Sequence, residues 1–578
     1  MASRDRSTQD GSTGEAGAAD RLAERQVPAG REPVPAGDRS RRRILYLPLD
    51  ERPCNYLFPQ LQLPPSSGVD LLMPPRALLG RKKEPADREA LMDWLARELP
   101  GSEHAVVSLE MLLYGGLLPS SVHQDQPATI RRLLEGFAAI LRRSGAGPGG
   151  PEVSLFGLIM RTPAYSSDEE EPDYYAHYGR QIFLRGYLDH KHALEGLSAR
   201  EEALLGSTAC IPATIISDYD RRRRTNLESL YGVGDLLREG LVARFVLPED
   251  DTAEFGYGPR EKAAVLARFA ELGVGDRVHS YPGADEVGMV LTARAAASLR
   301  TVTAGSGYDS TEAGEASRVA RVYVLYSHEA ARRIVPKYES QSLERSVAAQ
   351  IDAVGAVEVG DPAAADIVLG VAAPAGSMIE AAEQSHAPAA ASETEAFVDS
   401  LMALQAGGPG RVCALADCVH ANGSDRHLVE LLSRRGAWGR LAGYAGWNTA
   451  GNTLGTVLAR ALLEWRFPDA SARLRNLSYR LLDDWAYQTH IRTRAREELA
   501  GAPPAGPSAG VPPAVRASVE AGLRADWLAL LELCPSEQSA AGHGLAAGTG
   551  LPAEPGLRGI CFPWDRLFEI RLELGEEA

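Results

Sequence analysis

The sequence predicts an α/β fold, in which a (β/α)8-like barrel domain is followed by a flavodoxin-like α/β domain and a helical C-terminal region. Two patterns carry this. From Ile44 onward, short β-rich runs alternate with helical runs, which is the signature of βαβ units on a parallel sheet. Apolar strands also run repeatedly into acids, and parallel strands of α/β proteins present their functional groups at that carboxyl end. The five instances are Ile44–Leu49 before Asp50-Glu51-Arg52, Val106–Leu109 before Glu110, Ile215-Ile216-Ser217 before Asp218-Tyr219-Asp220, Arg244–Pro248 before Glu249-Asp250-Asp251, and Tyr281–Ala284 before Asp285-Glu286. Five acidic strand ends predict one shared pocket.

At 578 residues the chain exceeds what one hydrophobic core usually supports, so two or three domains are expected. Residues 1–40 hold almost no large apolar groups and read as a disordered tail. Residues 41–302 form the expected barrel-like catalytic domain, with strands near 44, 69–73, 106–110, 153–160, 213–217, 243–247 and 278–281 and helices over 87–98, 130–143 and 260–272. Within it, the acidic and aromatic insertion from Tyr165 to Thr208 has the length of a lid or a substrate wall. Residues 303–318 are polar and Gly-rich, a linker. The second α/β domain covers 319–468, with strands at 322–326, 367–371, 412–416 and 441–444 and helices over 341–354, 425–434 and 455–465. The remaining 469–578 read as helical with flexible Pro/Gly stretches, closing on Phe562-Pro-Trp-Asp565.

A net charge of −16 argues against nucleic acid or an anionic membrane as partner, because a phosphate backbone needs a basic face. No apolar run approaches the roughly twenty residues of a membrane span, and the run after Arg41-Arg42-Arg43 is broken by Pro48 and Asp50, so no secretion signal is read. The expected location is cytoplasmic. The six cysteines are widely spread without CxxC spacing, which fits reduced thiols.

Asp250 and Asp251 are the leading catalytic candidates. At a strand-to-loop bend both can face one ligand, and two adjacent carboxylates resist joint ionisation, which pushes one into the range of an acid catalyst. Glycosidases that use a substrate acetamido group as nucleophile need such a pair, here Asp251 as acid and Asp250 as orienter. The competing readings are a helix N-cap beside a solvated acid, or a metal-ligand pair. Asp285 and Glu286 either bind substrate or cap the following helix. Asp50 and Arg52 either bind sugar hydroxyls or pair with each other, and Glu110, Tyr114 and Arg161 complete the expected substrate-binding set from the first domain. Asp218 and Asp220 have ion-pair partners at hand in Arg221–Arg224. The turn Gly443–Gly455 offers Trp447 as an aromatic face and Asn448 and Asn452 as amides, or else is an Asn-capped strand-to-helix turn. Its glycines do not fit a nucleotide loop. Asp417, Cys418, His420 and Asn422 lack an HExxH or HxH companion, so a metal there is the weaker reading.

Taken in order, Leu47–Asn55, Glu110–Gly116, Pro248–Asp251, Gly283–Gly288 and Gly446–Gly455 form a set that resembles the bacterial domain-of-unknown-function family with serial number 4127, from Ile44 to the region of Phe568. The resemblance implies little about activity beyond favouring carbohydrate chemistry, through the amino-sugar and glycoside-utilisation genes that accompany such proteins. The expected function is therefore a glycoside hydrolase-like enzyme for a small amino-sugar-containing substrate, needing neither cofactor nor metal, with homo-oligomerisation left open. The alternatives are a carboxylate-metal-dependent hydrolase or isomerase of sugars, and a non-catalytic sugar-binding protein.

Overall fold

The computed structural model describes residues 42–299, 318–385, 391–406, 408, 410–501, 510–534 and 550–575. The expected tail at 1–40 lies outside them, as does the expected linker apart from Arg318. From Arg42 onward the chain is one compact unit built on two parallel sheets. The first contains β1 (Arg42–Leu47), β2 (Val69–Leu72), β3 (His104–Ser108), β4 (Glu152–Phe156), β5 (Arg244–Glu249) and β6 (Val278–Pro282), in the order β2-β1-β3-β4-β5-β6. The second contains β7 (Arg321–Tyr326), β8 (Val357–Glu358), β9 (Ile367–Ala372), β10 (Val412–Asp417) and β11 (Leu441–Ala445), in the order β11-β10-β9-β7-β8.

The α/β class is as expected, whereas the barrel is corrected: β2 and β6 are the two edges of an open sheet. Acids at strand ends could not discriminate the two, since any all-parallel sheet brings its carboxyl ends to one edge. The miscount has a local cause as well. Residues 213–217, expected as a strand, begin the 26-residue helix Ala213–Arg238. Asp218 is thereby one turn from its partners Arg221 and Arg222, 2.7 Å from each, and is no strand end. In the second sheet the order, counted from its own first strand, is 2-1-3-4-5, the doubly wound order of flavodoxin-like sheets.

Strand alternation decides what each face of the first sheet meets. Leu45, Leu47, Val107, Leu155, Phe245 and Leu247 point to one side, into a core closed by helices such as Pro127–Arg143. Ile44, Tyr46, Val106, Phe156 and Val246 point to the other, into a core that continues through Val322, Leu369 and Leu415 of the second sheet. The bridge is a pair of helices, α1 (Val287–Ser298) after β6 and α2 (Ala450–Arg466) after β11. They approach closely because α2 carries glycine at the contacts. A Cβ on Gly455 would sit 2.3 Å from Glu286 Cγ, and one on Gly451 would sit 2.1 Å from the Pro282 carbonyl oxygen. A single core thus fixes the carboxyl edge of each sheet against the other.

The C-terminal region is mainly helical and ends in an antiparallel hairpin, β12 (Leu557–Cys561) and β13 (Arg571–Leu574), whose loop carries Trp564, Arg566 and Glu569. No helix among the described residues is long and apolar enough to cross a membrane.

Gly455→Ala tests the α1–α2 contact. Alanine is the better helix former by about 1 kcal/mol, but the clash with Glu286 should outweigh that and leave a net loss of roughly 1–3 kcal/mol in denaturant unfolding. A stabilised variant would contradict the close approach.

Candidate functional site

The loop after β1 sends Asp50, Arg52 and Asn55 to the carboxyl edge of the first sheet. Arg52 Nη2 lies 2.6 Å from Asp285 Oδ1 and 2.8 Å from Asp50 Oδ2, and Nη1 lies 3.1 Å from Glu569 Oε1. Its guanidinium is 5.0 Å from the ring centroid of Trp564, which Arg566 also approaches at 4.6 Å. Burial opposes the charge on Arg52, but Asp285 and Asp50 outweigh it and hold the side chain firmly protonated. Asn55 Nδ2 donates to Asp50 at 3.0 Å and to Asp285 at 3.1 Å, and Asn448 Nδ2 donates to the second oxygen of Asp285 at 3.3 Å. Asp285 therefore joins the first strand, the last strand of its own sheet and the turn after β11.

A second arginine organises the other half. Arg161 follows β4, with Nε donating to Glu171 at 2.8 Å and Nη2 pairing with Glu170. Its Nη1 lies 3.5 Å from Asp251 Oδ2 and 3.9 Å from Asp250 Oδ2. Both aspartates converge on one nitrogen because the backbone at Asp251 is left-handed, with φ 43°. On a continuing strand they would diverge. Burial, then the charge of Asp251, pushes the Asp250 carboxyl well above the usual carboxylate range. Asp251 is also raised by burial, with Arg161 opposing. Burial lifts Glu171 to about 7, whereas Glu170, bonded to Arg161 and Arg566, stays well below the ordinary value despite its burial. Arg566 pairs with Glu170 and lies 3.3 Å from Glu569, which closes the circuit between the two arginine centres.

A small, half-open cavity of about 30 Å³ lies against this pair, walled by Arg161, Thr162, Phe183, Phe255 and Tyr257. Phe183 belongs to the insertion, whose helix Tyr175–Leu194 is anchored by a small core of Met160, Tyr175, Ile182, Ile211, Tyr219 and Tyr257. Tyr165 at the start of the insertion is 43% exposed and within electrostatic reach of Arg161 and Asp251.

Of the residues singled out in the sequence, Asp50, Arg52, Arg161, Asp250, Asp251, Asp285 and Asn448 meet here. The other five make packing contacts and hydrogen bonds of their own. Glu110 is buried, accepting from the Leu158 amide at 2.7 Å and the Ser108 hydroxyl at 3.3 Å. Tyr114 bonds Ser229 at 3.0 Å and stacks on His123. Glu286 stands at the start of α1 without a side-chain bond capping it, and accepts instead from the Ala284 amide and from Gln350 at 2.8 Å. Asn452 Oδ1 accepts from the Asp285 amide at 3.1 Å and fixes that turn. Trp447 is spent on Phe58, edge-on at 5.6 Å, and on the Thr456 hydroxyl at 3.1 Å. Asp417 accepts from the Asp425 amide and the Tyr444 hydroxyl, and His420 bonds Asp425 at 3.1 Å. Among the described residues, no group of three or more His, Cys, Asp and Glu side chains is placed to hold a metal ion. Missed altogether were Trp564, Arg566 and Glu569, since nothing local ties them to a loop some five hundred residues earlier.

Glu110→Gln separates support from ligand contact. Burial raises the glutamate from 4.5 to about 7, so its contribution to stability is complete below pH 4.5 and disappears as pH rises through about 7. Glutamine can keep the Leu158 bond without a charge. Between about pH 5 and about pH 8 the variant should therefore lose less unfolding free energy than the wild type, by on the order of 2–3 kcal/mol. Identical pH slopes would contradict the assignment.

Comparison with curated proteins and with solved structures finds no match to the chain. A family model described as "Protein of unknown function (DUF4127)" matches residues 44–573, nearly the whole chain and all of the site just described. By that match, and by the motifs at the strand ends that carry the site, the chain belongs to the DUF4127 family.

Proposed function

We propose that the protein is a glycoside hydrolase-like enzyme acting on a small amino-sugar-containing substrate at the end of β5. The observation that carries this reading is the aspartate pair on the cavity wall. Glycosidic cleavage needs one carboxyl that keeps its proton near neutral pH and one that stays ionised nearby. Asp250 accepts no hydrogen bond from the described residues, and burial and its neighbour both favour its protonated form. Burial raises Asp251 as well, but it lies nearer to Arg161, which opposes its protonation.

The roles are thus assigned in the opposite sense to the one expected from sequence order. Asp250 donates the proton to the leaving oxygen, and Asp251 orients the acetamido group that attacks the anomeric carbon. Tyr165 offers an exposed ring face for the sugar, as amphipathic aromatics do at wet sites. Asp285 and Asp50 are held in place by Arg52 at the edge of the same site. That geometry favours the glycosidase reading over a carboxylate-metal one, because guanidinium groups already occupy the positions facing the acids.

The test is a panel of aryl and alkyl glycosides of N-acetylated amino sugars. Asp250→Asn should lower kcat/KM by about 10²–10⁴-fold on alkyl glycosides, and far less on activated aryl glycosides, which need no proton. Asp251→Asn should impair both classes alike. The wild-type profile should fall at high pH, as Asp250 loses its proton through a raised pKa, and that alkaline limb should vanish in Asp250→Asn on aryl substrates. If no glycoside in the panel is either turned over or able to raise the Tm, the reading fails.

A further inference from the structure

We infer that the substrate site extends across both sheets, with a second subsite for a polar, hydroxylated ring at the carboxyl edge of the second sheet. This rests on the glycosidase reading and makes the substrate at least two sugar units long.

The first argument is topological. In doubly wound sheets a ligand crevice opens outside the carboxyl ends of the strands where the order reverses. In the first sheet that point lies at β1, between β2 and β3, and the loop after β1 supplies Asp50, Arg52 and Asn55. In the second sheet it lies at β7, between β8 and β9. The segment after β7 supplies Lys337 and Tyr338, and the segment after β9 supplies Glu380. These meet at the reversal. Tyr338 Oη donates to Glu380 Oε1 at 2.7 Å, Lys337 Nζ to the same oxygen at 2.6 Å, and Asn422 Nδ2, from the loop after β10, to Oε2 at 2.9 Å. Burial works against the charge on Glu380, but these three donors keep its carboxylate below the ordinary range. Tyr338 as a residue remains 40% exposed, with its hydroxyl fixed and Lys337 Nζ 5.2 Å from its ring centroid. An aromatic face beside a carboxylate and an amide is the equipment that binds a sugar ring.

The second argument is continuity with the acid pair. The Thr252 amide, next to Asp251, donates to the Tyr338 carbonyl at 3.2 Å. On the other side the Asn422 amide donates to the Asn448 carbonyl at 2.8 Å, and Asn448 reaches Asp285. One chain of contacts thus runs from Asp251 through Tyr338, Glu380, Asn422 and Asn448 to Asp285. Four of its members have left-handed backbones: Asp251 at φ 43°, Tyr338 at 70°, Asn422 at 57° and Asn448 at 51°. That conformation is unfavourable for side-chain-bearing residues and gathers at ligand sites, where the surrounding structure enforces it.

The experiment compares one-sugar and two-sugar 4-nitrophenyl glycosides of the same N-acetylated amino sugar. Tyr338→Asn and Asn422→Gly are the variants, because both replacements tolerate positive φ and remove the side chain of interest. Wild type should prefer the two-sugar glycoside by about tenfold or more in kcat/KM, and each variant should lose at least about tenfold more on that substrate than on the one-sugar glycoside. Equal losses on both substrates, or no wild-type preference, would overturn the second subsite and leave the glycosidase reading standing. If neither glycoside is cleaved or shifts the Tm, that reading falls, and the subsite with it. Should one variant not fold, the other carries the comparison.

Discussion

The structure depends on a problem of charge. Parallel strands deliver Asp50, Asp250, Asp251 and Asp285 to one edge, and the insertion and the terminal hairpin add Glu170, Glu171 and Glu569. Burying ionised carboxyls without compensation is prohibitive. Arg52, Arg161 and Arg566 supply the compensation, each shared among several acids. Arginine suits this task because its planar fork can bond two or three carboxylates at once and still stack on an aromatic ring, as Arg52 does on Trp564. Three guanidinium groups cannot balance seven carboxyls. The remainder must be protonated or await a ligand, and the carboxyl furthest from compensation is Asp250, on the cavity wall.

The same constraint explains why the C-terminal region belongs to the site. Without Glu569 and Trp564 the outer side of Arg52 would face solvent, and its hold on Asp285 would be weaker. The terminal hairpin therefore covers the carboxyl edge of the first sheet, although in the sequence it follows both sheets. Rigidity comes from elsewhere. Because α1 and α2 pack through glycine and share one core, the two carboxyl edges are fixed relative to each other, and the Asp285–Asn448 bond across them joins preorganised parts.

How far this was legible in the sequence follows from the range of each interaction. Strand-end acids such as Asp250 and Asp285 are local signals, because a β-rich run followed by acids is visible within ten residues, and Asp87, Asp425 and Thr449 at helix starts are equally local. Strand order is not local, so an open sheet passed for a barrel. The isoleucines at 215–216 favoured a strand by propensity, yet they head a helix whose buried face is set by the tertiary core. Trp447 and Trp564 offer the same residue type, yet only the latter touches the arginine centre. Aromatic identity says nothing of whether the ring is already packed, and the 513-residue separation of Trp564 from Glu51, which accepts its indole hydrogen bond, leaves no pattern to read.

The central claim is that this edge keeps one aspartate protonated where aspartates are ordinarily ionised. Infrared difference spectroscopy of wild type against Asp250→Asn, followed across pH, isolates that carboxyl by its C=O stretch. The account predicts a protonated-acid band, present in wild type and missing from the variant, that persists well above the ordinary aspartate pKa of about 3.9. Loss of that band near about pH 4, as for an exposed aspartate, would contradict it.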